Sequence, residues 1–142
     1  MNYPNYRISV ELIFKNEGKV LLTKRSENST VAPGVWNVPA GKVKYEEIPI
    51  QAVYREALEE TGLKLCSVEE VSVRNQSWES RGEIYYRVIF TYIVEAAKSD
   101  YTRLKLNDEH TEYAWVNLDE LSHEKYDSLH PELRKIIASI YE

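Results

Sequence analysis

From Arg7 to Phe14 apolar side chains fall at every second position, Ile8, Val10, Leu12 and Phe14, the period of a strand with one buried face. Asn16-Glu17-Gly18-Lys19 then supplies turn residues before a second apolar run, Val20-Leu21-Leu22, so the two runs predict a β-hairpin. From Arg25 to Glu47 the pattern is broken by Ser, Asn and Thr, by Pro33-Gly34, and by Pro39 and Gly41. This reads as a long loop with one short strand around Val35 to Val38, and long loops in small domains commonly carry function. Pro49 suits the first turn of a helix and Gly62 the position just past its end, which predicts a helix from Pro49 to Thr61. Leu63 to Arg74 predicts a strand, and Tyr85 to Val94, apolar on both faces, predicts a central one. A polar stretch from Lys98 to Thr111 leads to a short strand at Glu112 to Val116. Asn117 with Glu120 resembles a capping box before a brief helix. Pro131 opens a last helix with Leu133, Ile136, Ile137 and Ile140 as its buried stripe. Strands with flanking helices make the fold class α/β, and residues 1–142 read as a single domain without repeat or linker.

The helix from Pro49 to Thr61 carries an internal conflict. At 100° per residue, Ile50, Val53, Tyr54, Ala57, Leu58 and Thr61 share a broad arc that is expected to face the core. Ala52, Arg55, Glu56, Glu59 and Glu60 lie opposite. Three carboxylates thus crowd the last two turns, where like charges repel and the helix macrodipole is also unfavourable to them. An ordinary solvated acidic face would give the same letters. Two features favour a site instead: the carboxylates stand at the wrong end of the helix, and a glycine-containing loop feeds directly into it. Clustered carboxylate oxygens are what magnesium prefers, with water in its remaining positions.

The net charge of −5 argues against long nucleic acid, whose binding rests on clustered Lys and Arg. A phosphorylated ligand on such a surface needs a local offset, and a divalent metal is the simplest. The single cysteine, Cys66, cannot form an intramolecular disulfide and is expected to be a small buried hydrophobe. The first residues have no signal-peptide pattern, and no apolar run reaches the ~20 residues of a membrane helix, so a cytoplasmic location without membrane association is expected.

Gly41, then five residues, Glu47, then seven residues, and Arg55-Glu56-Ala57-Leu58-Glu59-Glu60-Thr61-Gly62-Leu63 together resemble a complete Nudix box. Background residue frequencies put a chance match in a chain of this size on the order of one in a million. The resemblance implies an α/β/α sandwich with a central mixed sheet and a loop-helix-loop catalytic motif. It also implies hydrolysis of a phosphoanhydride in a nucleoside diphosphate linked to a further group, X. Glu56, Glu59 and Glu60 would hold Mg2+, with Mn2+ as a substitute, helped by a backbone carbonyl of the Ala40-Gly41 loop. Arg55 would orient the acidic cluster and Glu47 would fix the loop against the helix.

Family members differ in the general base, and two choices stay open here, Glu56 and Glu109. Glu109 lies six residues before Trp115, in a run (Asp108 to Trp115) that resembles the family's late loop, where some members place an additional metal-site glutamate. Glu112 competes with Glu109 for that place, and His110 is the less favoured alternative. His123 and His130 stand in capping or turn contexts. On the substrate side, Arg25 matches a position from which family members reach a phosphate. Trp36 and Asn37 resemble a segment that contacts the base in some nucleoside triphosphate members, although Trp36 also suits the core.

The implied substrate is a small nucleotide, first a nucleoside triphosphate, with ADP-ribose, dinucleoside polyphosphates and nucleotide sugars open. A homodimer is compatible with the resemblance. The rival reading, a non-catalytic sensor on the same fold, is disfavoured by the intact box and by the lack of room for a DNA-binding domain.

Overall fold

The computed structural model describes residues 3–141. Strands β1 (Tyr6–Asn16) and β2 (Lys19–Arg25) form the expected hairpin. Its turn residues Glu17 and Gly18 both have positive φ, 52° and 76°, the twist that suits a two-residue connection. Only Lys15–Val20 and Asn16–Lys19 pair across it. Beyond them the strands diverge, and that divergence organises the molecule.

β1 pairs antiparallel with β4 (Ala40–Lys42) and parallel with β6 (Glu83–Ala96), in register from Tyr6–Tyr86 to Phe14–Val94. β6 in turn pairs antiparallel with the edge strand β5 (Leu65–Ser80). β2 pairs instead with β3 (Trp36–Asn37) and β7 (His110–Val116), both antiparallel. The result is a mixed seven-stranded sheet in which β6 is central, as its two apolar faces predict.

Each half has its own core. Val10, Leu12, Phe14, Tyr92 and Val94 pack against Ala52, Val53 and Ala57 of α1 (Pro49–Thr61). Ile13, Val20, Leu22 and Val116 pack against Leu121 of α2 (Leu118–Leu121) and Leu133 and Ile137 of α3 (Pro131–Ile140). Helices therefore cover both faces, an α/β/α arrangement. The capping box at Asn117 and Glu120 is present, with both reciprocal hydrogen bonds formed.

Three expectations are corrected. The core face of α1 is rotated: Ala52, Val53, Glu56, Ala57, Glu60 and Thr61 are buried, whereas Ile50, Tyr54 and Leu58 are exposed. The rotation turns Glu56 and Glu60 under β4 and leaves three apolar side chains outside. Cys66 is exposed, because a register irregularity between Leu65 and Ser67 leaves Leu65 to fill the core position on this edge strand. β5 and β6 extend well past Arg74 and ahead of Tyr85, closing at Arg81-Gly82, both at positive φ. The intervening Asn75 to Arg81 lacks apolar alternation, so the ladder itself and a stacked Trp78–Tyr85 pair, 5.7 Å between centroids, hold the extension.

Candidate active site

The boundaries of α1 are those the sequence predicts. Gln51 Oε1 accepts from the Ile48 N–H at 2.9 Å, which satisfies one free donor at the helix start. Gly62 closes the other end at φ 72°. Between these caps the helix presents its glutamates to an open cleft of about 1460 Å³ whose walls include Arg25, Asn37, Ala40, Gly41, Glu56, Glu59, Glu60 and Glu109. That volume exceeds the roughly 300–1,000 Å³ of a small-ligand pocket.

Arg55 is the hub. Its guanidinium donates to Glu47 through Nε at 2.7 Å and Nη2 at 2.8 Å, to Glu56 at 2.7 Å, to Glu59 at 3.1 Å and to the Lys42 carbonyl at 2.8 Å. Glu47 also accepts from the Lys44 N–H at 2.9 Å, so loop and helix are tied through one side chain. The hydrogen bonds from Arg55 hold the Glu47 carboxyl down to about 2. The Glu47–Arg55 pair thus ties the loop to the helix by charge-assisted hydrogen bonds.

The three glutamates of α1 are not equivalent. Glu60 is 4% exposed and accepts from the Ala40 N–H at 3.2 Å. Burial, then the neighbouring Glu56 charge, pushes its carboxyl up to about 8. Glu56 is 7% exposed and is also raised, chiefly by burial, against the lowering influence of Arg55. Glu59 stands at the rim between Arg55 and Lys44. Glu109 lines the opposite rim, and its charge raises both Glu56 and Glu60. The backbone makes room for Glu56 at Gly41, where an added Cβ would collide with the Glu56 carboxyl.

This donor set fits a hard divalent cation. All the groups are oxygens, Glu56 and Glu60 place two buried carboxylates one helical turn apart of which only Glu56 is ion-paired among the described residues, and the Gly41 cradle leaves the Glu56 carboxylate space against backbone. As the side chains stand, no three His, Cys, Asp or Glu groups among the described residues converge in ligating geometry. Arg55 holds Glu56 and Glu59, and the Ala40 N–H holds Glu60.

The other predicted residues divide. Arg25, at the end of β2, lines the cleft with its guanidinium tied to the Val31 carbonyl at 2.9 Å and to the Ser29 hydroxyl. Asn37 lines it too, while its Oδ1 accepts from the Val38 N–H at 2.8 Å. Trp36 does not: alternation along β3 sends it to the opposite side, where it is 3% exposed and packs edge-on to Tyr126. It is a core residue rather than a substrate contact. Glu112 pairs with Lys24. His110 is half-buried, its Nδ1 3.3 Å from Asn107 Oδ1, and burial lowers its pKa. His123 and His130 cap the following turn and α3, each accepting a backbone N–H through Nδ1.

Sequence reading missed Glu11. It is buried at the cleft floor, held by Arg74 at 2.6 and 3.0 Å and by the Thr91 hydroxyl at 3.1 Å. The available signal was on the other face of β1, where Arg7, Ser9 and Glu11 are polar before Ile13 turns apolar.

Comparisons with known proteins agree with this geometry. A family model described as NUDIX domain matches residues 5–140. Nucleoside triphosphatase NudI of Escherichia coli (strain K12) is 30% identical over 118 residues, 78% of this chain and 82% of that protein. Among solved structures, the MutT protein from Methanosarcina mazei Go1 superposes with a TM-score of 0.69 at 31% identity, covering 99% of this chain and 96% of that one. The MutT NUDIX hydrolase from Burkholderia pseudomallei gives 0.75 at 25% identity, covering 96% and 98%.

Proposed function

The chain belongs to the Nudix hydrolase family, and we propose that within it this protein is a magnesium-dependent nucleoside triphosphate pyrophosphohydrolase that releases nucleoside monophosphate and pyrophosphate. The observation that carries the reading is the pair of buried carboxylates one helical turn apart, Glu56 and Glu60, that line a large open cleft. The triphosphatase name of the NudI relative supports the substrate class.

Glu56, Glu59 and Glu60, with the Ala40 carbonyl and Glu109 across the cleft, would hold the metal. When bound, a divalent cation neutralises phosphate oxygens and acidifies the attacking water. Arg25 offers a fixed guanidinium to the polyphosphate, since two loop groups restrain it. Arg55 and Glu47 lock the loop to the helix and so hold Glu56 in place. Glu56 is the preferred proton acceptor: Arg55 occupies only its Oε1, and burial makes the carboxyl a stronger base than an exposed one. Glu109, exposed on the rim, is the alternative. With a cation held by the glutamates and Arg25 on the same cleft wall, the polyphosphate would be bound on both sides of an internal phosphorus, and the leaving group would be a phosphate-bearing fragment.

Turnover of a nucleoside triphosphate in oxygen-18 water tests this. Nucleoside monophosphate and pyrophosphate are the expected products. Nucleoside diphosphate with labelled orthophosphate would overturn the cleavage position. Inertness toward triphosphates with turnover of ADP-ribose, a dinucleoside polyphosphate or a nucleotide sugar would keep the chemistry and replace the substrate.

A further inference from the structure

Away from the glutamates, the cleft floor is the open face of the sheet. Register places its side chains in rows across β1, β6 and β5. Glu11 stands beside Thr91, then Ser9 beside Ile89 and Arg74, and then Arg7 beside Arg87 and Gln76. Successive rows are about 7 Å apart. Glu11 is also in register with Ala40 of the catalytic loop. The Arg7–Arg87 row therefore lies about 13 Å along the strand from the Ala40 position and about 7 Å beyond Lys42, which is in register with Ser9.

Along this face Arg74 is ion-paired, whereas the far row is not. Arg74 is neutralised by both oxygens of Glu11. Arg7 and Arg87 are direct neighbours on adjacent parallel strands, and among the described residues neither has a carboxylate within ion-pairing distance. Arg87 is half-buried, and its Nε is buried without a hydrogen-bond partner. Burial first, then the adjacent Arg7, lowers the Arg87 pKa.

Aromatic rings fix both guanidiniums. Arg7 lies over Tyr85 at 5.2 Å, Tyr85 stacks on Trp78, and Arg87 lies over Trp78 at 4.9 Å. Each ring already has two partners, so a nucleobase finds no free platform here. The remaining recognition elements are guanidinium N–H edges, which only donate and which match a multidentate oxyanion.

We propose that Arg7 and Arg87 form a second anion subsite in the cleft, which takes a phosphate carried by the substrate outside the linkage that is hydrolysed. The assignment rests on the nucleotide pyrophosphohydrolase reading and refines it: the substrate bears an additional phosphate on the side of the cleft away from the glutamates.

The test compares binding of a nucleoside 5′-monophosphate with that of the 3′,5′-bisphosphate by calorimetry, without metal, on wild type, Arg7→Gln and Arg87→Gln. The bisphosphate is expected to bind at least about tenfold more tightly to wild type, the effect of one charge-assisted contact set. Each substitution should abolish that preference while leaving monophosphate binding within about twofold, the scatter expected where no direct contact is lost. Arg7 is exposed, so its variant reads the subsite even if Arg87→Gln folds poorly. Equal affinities for the two probes, or a preference that survives both substitutions, would overturn the subsite. The probes contain no anhydride, so failure to hydrolyse any nucleotide with magnesium overturns the pyrophosphohydrolase reading alone, and a flat binding comparison overturns the subsite alone.

Discussion

Glu60 concentrates the tension of the site. In the metal-free protein its carboxyl titrates at about 8 instead of the ordinary 4.5, so between those values the folded chain holds a proton that the unfolded chain has released. Folding stability from this group is therefore full below pH 4.5 and lost as pH rises to about 8. Glu60→Gln should abolish this loss and raise the melting temperature in chelator at pH 8.5, relative to wild type, while leaving the two alike near pH 4. The same variant should lose at least about a hundredfold in kcat with magnesium, since the proposed metal ligand loses its charge. Melting curves that do not separate with pH would show that Glu60 is not the strained carboxylate. His110 supplies the opposite case. It is desolvated and tied to Asn107, and it does not line the cleft walls that the glutamates form. His110→Gln should keep kcat within about tenfold of wild type, and a fall of about a thousandfold would make it the base.

At the level of elements, α1 was legible almost completely and its orientation was not. Pro49 and Gly62 punctuate the chain locally, so the limits of the helix follow from residues that act on their own backbone. Which face turns inward depends on β4, a three-residue strand that alternation could not reveal, and on Arg55, which pulls Glu56 toward the loop. Ile50, Tyr54 and Leu58 consequently project outward although a helical wheel assigns them to the core. The box spacing was readable for the same reason as the caps, because its residues sit on one helix and the loop before it. Glu11, Arg74 and Arg87 were not, because they meet only through strand pairing across distant segments. The C-terminal cap offers a clean check of element against site. Gly62 has φ 72° with nothing near its missing Cβ. Gly62→Ala should therefore cost about 1 kcal/mol in chemical denaturation through backbone strain alone, with kcat unchanged. A loss of activity at full occupancy of the folded state would mean that the cap also positions Glu59 or Glu60.

The whole molecule is two half-sheets joined by a short hairpin, with β1 belonging to both. The α/β class and the central position of β6 were legible because apolar runs and turn residues report them directly; the split was not, since divergence after two residue pairs leaves no mark on composition. β1 also sets an order in time. Glu11 meets Thr91 across 80 positions of chain, and its parallel partner strand cannot be supplied by any nearer segment. A contact of such length must bear a large loop-closure entropy before it returns any packing energy. During synthesis the helix with its glutamates emerges long before β6, so the loop that carries β4 has no sheet floor beside it until the later half of the chain arrives.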